Sequence, residues 1–519
     1  MQSLLCSQEV ALQFADTYYA WLAGFIILGG LTFVLKDEKR KLLLHLLLVF
    51  STLFVIGQIY RSVEARKGTS NQVFVESDKA EMALRMTSAL MALEPILKSG
   101  GDNSQVKQMQ SKFYLEAENS LDKSIKLAPD SSILLTKRLV FHNETGKAIK
   151  GDLAAINKIG TDKSKKLSKL VTAIYIDKKI SADQLPELRK ILKTEMTGGW
   201  YQDVLNVQIE RVSGTKKSYE NAVDAFVDHY RNYLIRIAAF FAGIAISALV
   251  GVFVVIVQLF LLPRKPTSEE ERAKIAAPVA WGEKTVYGVF IAWLSTEFLV
   301  VPLLQGVSKD LANIAVERGS LTVALITAGL YLSQNLPSIF YIWFFAVRNH
   351  AVNFAEAVRF RWKTERRGPV GLVFAGIATW FAAIPLVIAS TYISNQLGSQ
   401  GSSNPIVAVV LSSVKESNPL AVVMFLITLG LLPALCEETL FRGFLYTSLR
   451  RKFGAFLSIV ISATLFSLAH FDLGGAVQLF VLGALFAFVF ERTKSLIPAM
   501  VAHCMWNSGT FLMALTMLG

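Results

Sequence analysis

The chain of 519 residues is 53% hydrophobic, carries a formal charge of +13 and contains three cysteines, Cys6, Cys436 and Cys504. Its apolar residues fall in blocks of about 18 or more, the length that crosses the ~30 Å hydrocarbon core of a bilayer, which excludes an ordinary water-soluble globule. Much of the charge sits in short loops between these blocks, where it orients membrane helices rather than binding nucleic acid, and the cysteines show neither metal-type spacing nor a disulfide framework.

In chain order the apolar segments are 17–35, 42–60, 233–262, 286–305, 321–347, 370–393, 419–440, 455–471, 475–491 and 497–516. Residues 1–18 have no basic stretch ahead of the first block, so that block is expected to be a retained span rather than a cleaved signal. Alternating the short loops separates the basic residues into two sets. One runs from Lys36, Lys39, Arg40 and Lys41 through Arg264, Lys265, Arg272, Lys274 and Lys284, and then Arg348, Arg359, Arg361, Lys363, Arg366 and Arg367. It closes with Arg450, Arg451, Lys452, Arg492 and Lys494. The other holds Lys309, Arg318 and Lys415. Twenty against three makes the first set cytoplasmic. A multi-pass protein of the cell membrane follows, with both termini and residues 63–230 extracytoplasmic.

The polar stretch 61–232 is helical by pattern. From Lys112 to Asp130 apolar residues recur at helical spacing and stop at Pro129. This resembles the second helix of one tetratricopeptide unit. An irregular amphipathic helical domain is the plain reading, and a repeat-type surface for a protein partner the alternative. Asn143-Glu-Thr145 forms a glycosylation sequon.

Ionisable side chains inside apolar helices are costly and therefore mark sites. The last hundred residues hold Glu437, Glu438, Arg442, His470 and His503, with Asn507 beside them. Glu438 and Arg442 are four apart and share a helix face, whereas Glu437 is turned about 100° from Glu438 and free to face another helix. Phe466 and His470, and His503 and Asn507, are likewise four apart. The basic turn 450–454 folds two helices into a hairpin and brings Glu437 and His470 to nearly equal depth. By the same counting His503 falls a turn or two nearer the cytoplasm. A carboxylate facing an imidazole in a dry site can activate water, and a second imidazole with an amide can stabilise an oxyanion. Alternatively, Glu437, His470 and His503 form a three-ligand set for zinc. A cysteine nucleophile is disfavoured, because Cys504 points away from its neighbour His503 and Cys436 has no special partner. Glu297 is a further intramembrane acid without an evident partner.

Glu437-Glu438-x-x-x-Arg442, Phe466-x-x-x-His470 and His503-x-x-x-Asn507 together resemble, in order, the three motifs of the CAAX-protease and bacteriocin-processing (CPBP) intramembrane proteases. The resemblance implies that Glu437 and His470 activate the water and that His503 and Asn507 stabilise the oxyanion. It also implies that Glu438 and Arg442 hold the site, with Phe466 in support. The expected architecture is all-α: a polytopic integral membrane helix bundle with an inserted extracytoplasmic helical domain. Its parts are a transmembrane hairpin (1–62), the outer helical domain (63–230), further membrane helices (231–368) and a protease-like core (369–519). The expected function is an intramembrane endopeptidase acting on a peptide or protein substrate, with CAAX-like C-terminal processing as one form and either no cofactor or zinc. Its rivals are a membrane scaffold or immunity-type protective protein and, with no internal repeat to favour it, a transporter.

Overall fold

The computed structural model describes residues 42–43, 46–47, 69–98, 104–196, 198–260, 281–297, 319–396, 418–470, 472 and 474–518. Apart from Leu42, Leu43, Leu46 and Leu47, the predicted N-terminal hairpin lies outside the described residues, as does Cys6. So do positions 261–280, 298–318 and 397–417, which carry part of the charge asymmetry. The described residues are helical, with no strand among them, and the all-α membrane architecture holds. The chain divides into two compact units, one within 64–242 and one within 243–515.

The first unit is a run of helices: α1 (Thr69–Lys98), α2 (Ser104–Leu127), α3 (Ser132–Glu144), α4 (Lys150–Ile159), α5 (Asp162–Val171), α6 (Leu185–Glu195), α7 (Trp200–Ser213) and the start of α8 (Lys216–Phe260). The predicted Pro stop is where α2 ends, in a turn that Ser131 closes by capping α3. Leu84, Leu121, Leu139, Leu170, Leu205 and Tyr233 are buried in one apolar core. Burial forces the polar groups of this core to pair. Trp200 donates its indole N–H to Ser88 Oγ (2.7 Å). The Asp152 carboxylate takes Arg138 at 2.7 Å and His142 Nδ1 at 2.8 Å.

In the second unit the described elements are the end of α8, α9 (283–297), α10 (Ser320–Val347), the short α11 (Phe354–Ala357), α12 (Pro369–Gln396), α13 (Pro419–Leu449), α14 (Ala455–Leu468), α15 (Ala476–Thr493) and α16 (Ile497–Leu518). Among the described residues α8, α10, α12, α13 and α15 are long and apolar enough to cross a membrane. On α8, Leu249 and Phe253 are 73% and 67% exposed, as a lipid-facing surface requires. The fourteen residues of α14 extend roughly 21 Å, short of a full crossing. This helix carries the predicted segment 455–471 only as far as Leu468, and chain breaks away before His470.

Two features position the site. First, α13 is not uniformly α-helical: its backbone bonds i→i+5 over Ile427–Leu431 and again over Thr439–Tyr446, directly after the paired glutamates. Such widened turns are uncommon and cluster at functional sites. Second, small residues let helices close up, as in membrane bundles generally. A Cβ on Gly483 of α15 would lie 3.1 Å from the Ala463 backbone of α14, and one on Gly430 of α13 would overlap Ser508 Oγ of α16. Below these contacts Phe441, Phe444, Tyr446 and Phe466 form the aromatic core, with Trp281 donating to the Ala346 carbonyl (3.0 Å).

Candidate active site

The second glutamate of α13 is the structural hub. Glu438 and Arg442 have fully buried side chains, and Arg442 Nη1 donates to Glu438 Oε1 at 2.8 Å. The same oxygen accepts His503 Nδ1–H of α16 at 2.8 Å. The second guanidinium arm of Arg442 donates to the Gly483 carbonyl at 2.8 Å, which ties α13 to α15. One buried ion pair thus joins three helices. Broken, it would leave an uncompensated charge in an apolar interior.

Aromatic faces complete this support. Arg442 Cζ sits 4.4 Å from the ring centre of Phe466 and 5.4 Å from that of Phe486. Phe486 stacks on the His503 imidazole, centroids 5.1 Å apart and planes 20° from parallel. Phe466 is fully buried, stands edge-on to Phe441 and also contacts the His470 ring (4.8 Å). Its part is packing: it fixes the cation and both imidazoles at once.

Around the first glutamate the arrangement is open. Glu437 Oε1 accepts the Tyr331 hydroxyl of α10 at 3.2 Å. Its Oε2 is buried and has no hydrogen-bond partner among the described residues. His470 Nε2 lies 3.7 Å from that oxygen and His503 Nε2 4.0 Å. Both distances exceed a direct hydrogen bond. The tautomers follow from the partners on the far side of each ring. His470 Nδ1 lies 2.8 Å from the Phe466 carbonyl, an acceptor only, so Nδ1 carries the hydrogen and a neutral ring turns the Nε2 lone pair toward Glu437. His503 Nδ1 donates to the Glu438 carboxylate, which leaves Nε2 on the Glu437 side.

The predicted acid and both imidazoles therefore meet at one carboxylate oxygen. The depth expected for His503, nearer the cytoplasm, is not what is found. The reason is the turn after α15. Lys494 adopts a left-handed conformation (φ 56°), and the following residues enter the protein rather than its surface. Ser495 Oγ donates to the Arg361 carbonyl (2.6 Å) and the Leu496 N–H to the Arg359 carbonyl (3.0 Å). Ser495 and Leu496 are fully buried, so α16 begins well inside the bundle and reaches the glutamates within two turns.

Asn507 lies one turn beyond His503 and donates its amide to the Leu429 carbonyl at 3.0 Å, across the first widened stretch of α13. One of its two N–H groups is thus committed to holding α13 against α16. Asp472 accepts the Gly475 N–H (3.2 Å) at the start of α15, an end-cap rather than a site acid. Cys436 and Cys504 are free thiols, and the Cys504 sulfur lies 4.0 Å from Ser508 Oγ.

The zinc alternative finds no support in the donor set. Among the described residues no group of three or more His, Cys, Asp or Glu side chains is arranged to hold a metal ion.

Four contributors escaped the sequence reading. Tyr331, Gly483 and Phe486 touch the site from α10 and α15, and Gln334 of α10 donates to Glu297, the intramembrane acid for which no partner was evident. Tyr331 and Gln334 lie in one apolar helix three residues apart, and that polar stripe was the available signal.

Residues 419–509 match the family model described as Type II CAAX prenyl endopeptidase Rce1-like. The resemblance expected from the three motifs is borne out over this segment. A stretch of 95 residues is 30% identical to YdiL of Bacillus subtilis (strain 168), provisionally described as a membrane peptidase. The match covers 18% of this chain and 39% of that relative. No solved structure matches the chain at a significant level.

Proposed function

We propose that the chain is an intramembrane endopeptidase in which Glu437 and His470 activate water for attack on a peptide bond. The observation that carries this reading is Glu437 Oε2: a buried carboxylate oxygen with no hydrogen-bond partner among the described residues, faced by two imidazole nitrogens. A buried acceptor left unsatisfied costs about 1–3 kcal/mol and is retained where chemistry needs it.

Glu437 and neutral His470 both present lone pairs, so a water between them directs one hydrogen to each and its own lone pair outward. On attack the carboxylate takes the proton and the scissile carbonyl oxygen gains the charge. His503 answers that charge through Nε2–H when its ring carries a second proton, with the uncommitted N–H of Asn507 as the other donor. Collapse of the tetrahedral intermediate expels the amine, which takes the proton back from Glu437.

The substrate is proposed to be a peptide segment at the membrane, with CAAX-like C-terminal processing as the specific form that the matched family suggests. The orientation proposed from the charge asymmetry places residues 63–230 and both termini outside the cytoplasm, with a protein partner on that outer helical unit. The test compares membranes containing the intact chain with those containing Glu437→Gln, His470→Ala or His503→Ala. Each variant is expected to lower the appearance of new peptide termini by a factor of about 10²–10⁴ while remaining folded in the membrane. Undiminished cleavage by all three would remove the assignment.

A further inference from the structure

On the far side of α15 from the glutamates lies a second cavity, of about 360 Å³, between α8, α12 and α15. That volume is within the range of ligand pockets. Its body is apolar: Phe374, Ala378 and Leu386 of α12 face Leu485 and Val489 of α15. The lining positions on α12 from Phe374 to Leu386 extend roughly 18 Å along the helix, close to the depth of one leaflet.

One end of the cavity is cationic. Arg367 and Arg492 both line it, close enough for their charges to act on one another. Arg492 Nη1 donates to Gln258 Oε1 (2.6 Å) and stands over the Phe488 ring (5.8 Å), while Arg367 Nη1 donates to the Gly371 carbonyl (3.3 Å). Among the described residues neither guanidinium is paired with a carboxylate. The contrast with Glu491, one residue from Arg492, is informative. Glu491 is taken by Tyr446 (2.9 Å), Arg450 (3.1 Å) and Lys494 (2.8 Å) and is not available to the cavity. Two guanidiniums with no carboxylate partner among the described residues, beside an apolar slot of leaflet depth, ask for one kind of molecule, an anion carrying a hydrocarbon chain.

We propose that this cavity is a binding site for an anionic phospholipid, with one acyl chain along α12 and α15 and the headgroup phosphate on Arg367 and Arg492. The site is separate from the peptidase reading and does not depend on it. The residues that line it on α15 alternate with Gly483 and Phe486, which support Arg442 and His503 on the opposite face. A chain seated here would therefore brace the helix that carries that support.

The test uses the purified full-length protein in uncharged detergent and measures the thermal unfolding midpoint and the lipid retained in native mass spectrometry. Phosphatidylglycerol is expected to raise the midpoint and to be retained, while phosphatidylcholine and inorganic phosphate do neither. Arg367→Gln with Arg492→Gln is expected to weaken phosphatidylglycerol binding about thirtyfold, from roughly 1 kcal/mol for each arginine. Ala378→Phe, which fills the slot and keeps both arginines, is expected to abolish retention and serves if the double variant does not fold. An equal effect of phosphatidylcholine, a full effect of inorganic phosphate alone, or retention unchanged in Ala378→Phe would each overturn the proposal.

Discussion

Glu438 and Glu437 are chemically identical neighbours with opposite duties, and their variants should separate accordingly. Glu438 Oε1 serves both Arg442 and His503, so Glu438→Ala leaves a buried guanidinium unpaired and is expected to cost about 3–5 kcal/mol. Its thermal midpoint in detergent should fall sharply. Glu437→Gln removes a charge whose Oε2 has no hydrogen-bond partner among the described residues and should leave the midpoint unchanged or raised while activity is lost. A destabilised Glu437→Gln would contradict this division. Tyr331→Phe removes one hydrogen bond to the Glu437 carboxylate and keeps the ring. A bond to a charged group contributes about 1.5–3 kcal/mol, so the midpoint should fall, and cleavage per folded molecule should fall as well because Glu437 loses the bond that orients it. The i,i+4 spacing of Glu438 and Arg442 was legible because it is local. Tyr331 was not, because its partner is 106 residues away and no local pattern records that pairing.

Helices were readable from apolar block length, but their internal geometry was not. An α-turn and an i→i+5 turn use the same side chains, so nothing in Thr439–Tyr446 distinguished them. The placement of α16 failed for a related reason: counting residues assumes that every turn returns to the surface, and the 494–496 turn is buried against 359–361. In the helical unit within 64–242 a pairing between α7 and α8 gives a pH prediction. Burial raises the Asp203 carboxyl above its usual range, although Tyr230 donates to it at 2.8 Å. A raised folded value means that the group favours folding at low pH and that this contribution is lost as pH rises through the folded value. Asp203→Asn keeps an acceptor for Tyr230 without the charge. It should raise the midpoint of the full-length protein at pH 8 and leave it nearly unchanged at pH 4. A shift of equal size at both would show that ionisation of Asp203 is not involved.

At the scale of the whole molecule, hydropathy and loop charge made the membrane class and the order of spans legible, because the bilayer imposes both. The substrate was not legible, since it depends on surfaces contributed by helices far apart in the chain. Sidedness remains open to a direct experiment. In sealed right-side-out vesicles, protease added outside is expected to cut within residues 145–150 or 177–184, between helices of the 64–242 unit, and to spare the 450–454 turn. The reverse pattern would invert the topology.

The widened coil of α13 also sets a rule for how this chain tolerates changes in length. Each i→i+5 turn houses a residue that a regular helix would have to swing round by about 100°. Deleting one residue between 443 and 446 would tighten the coil and leave Glu437, Glu438 and Arg442 in register. Because the coil gives up its extra residue, the flank that carries Arg450 would keep its approach to Glu491. A homologue one residue shorter at this point should therefore keep the acid that corresponds to Glu491, and single deletions here should be tolerated better than deletions in the regular turns of the same helix.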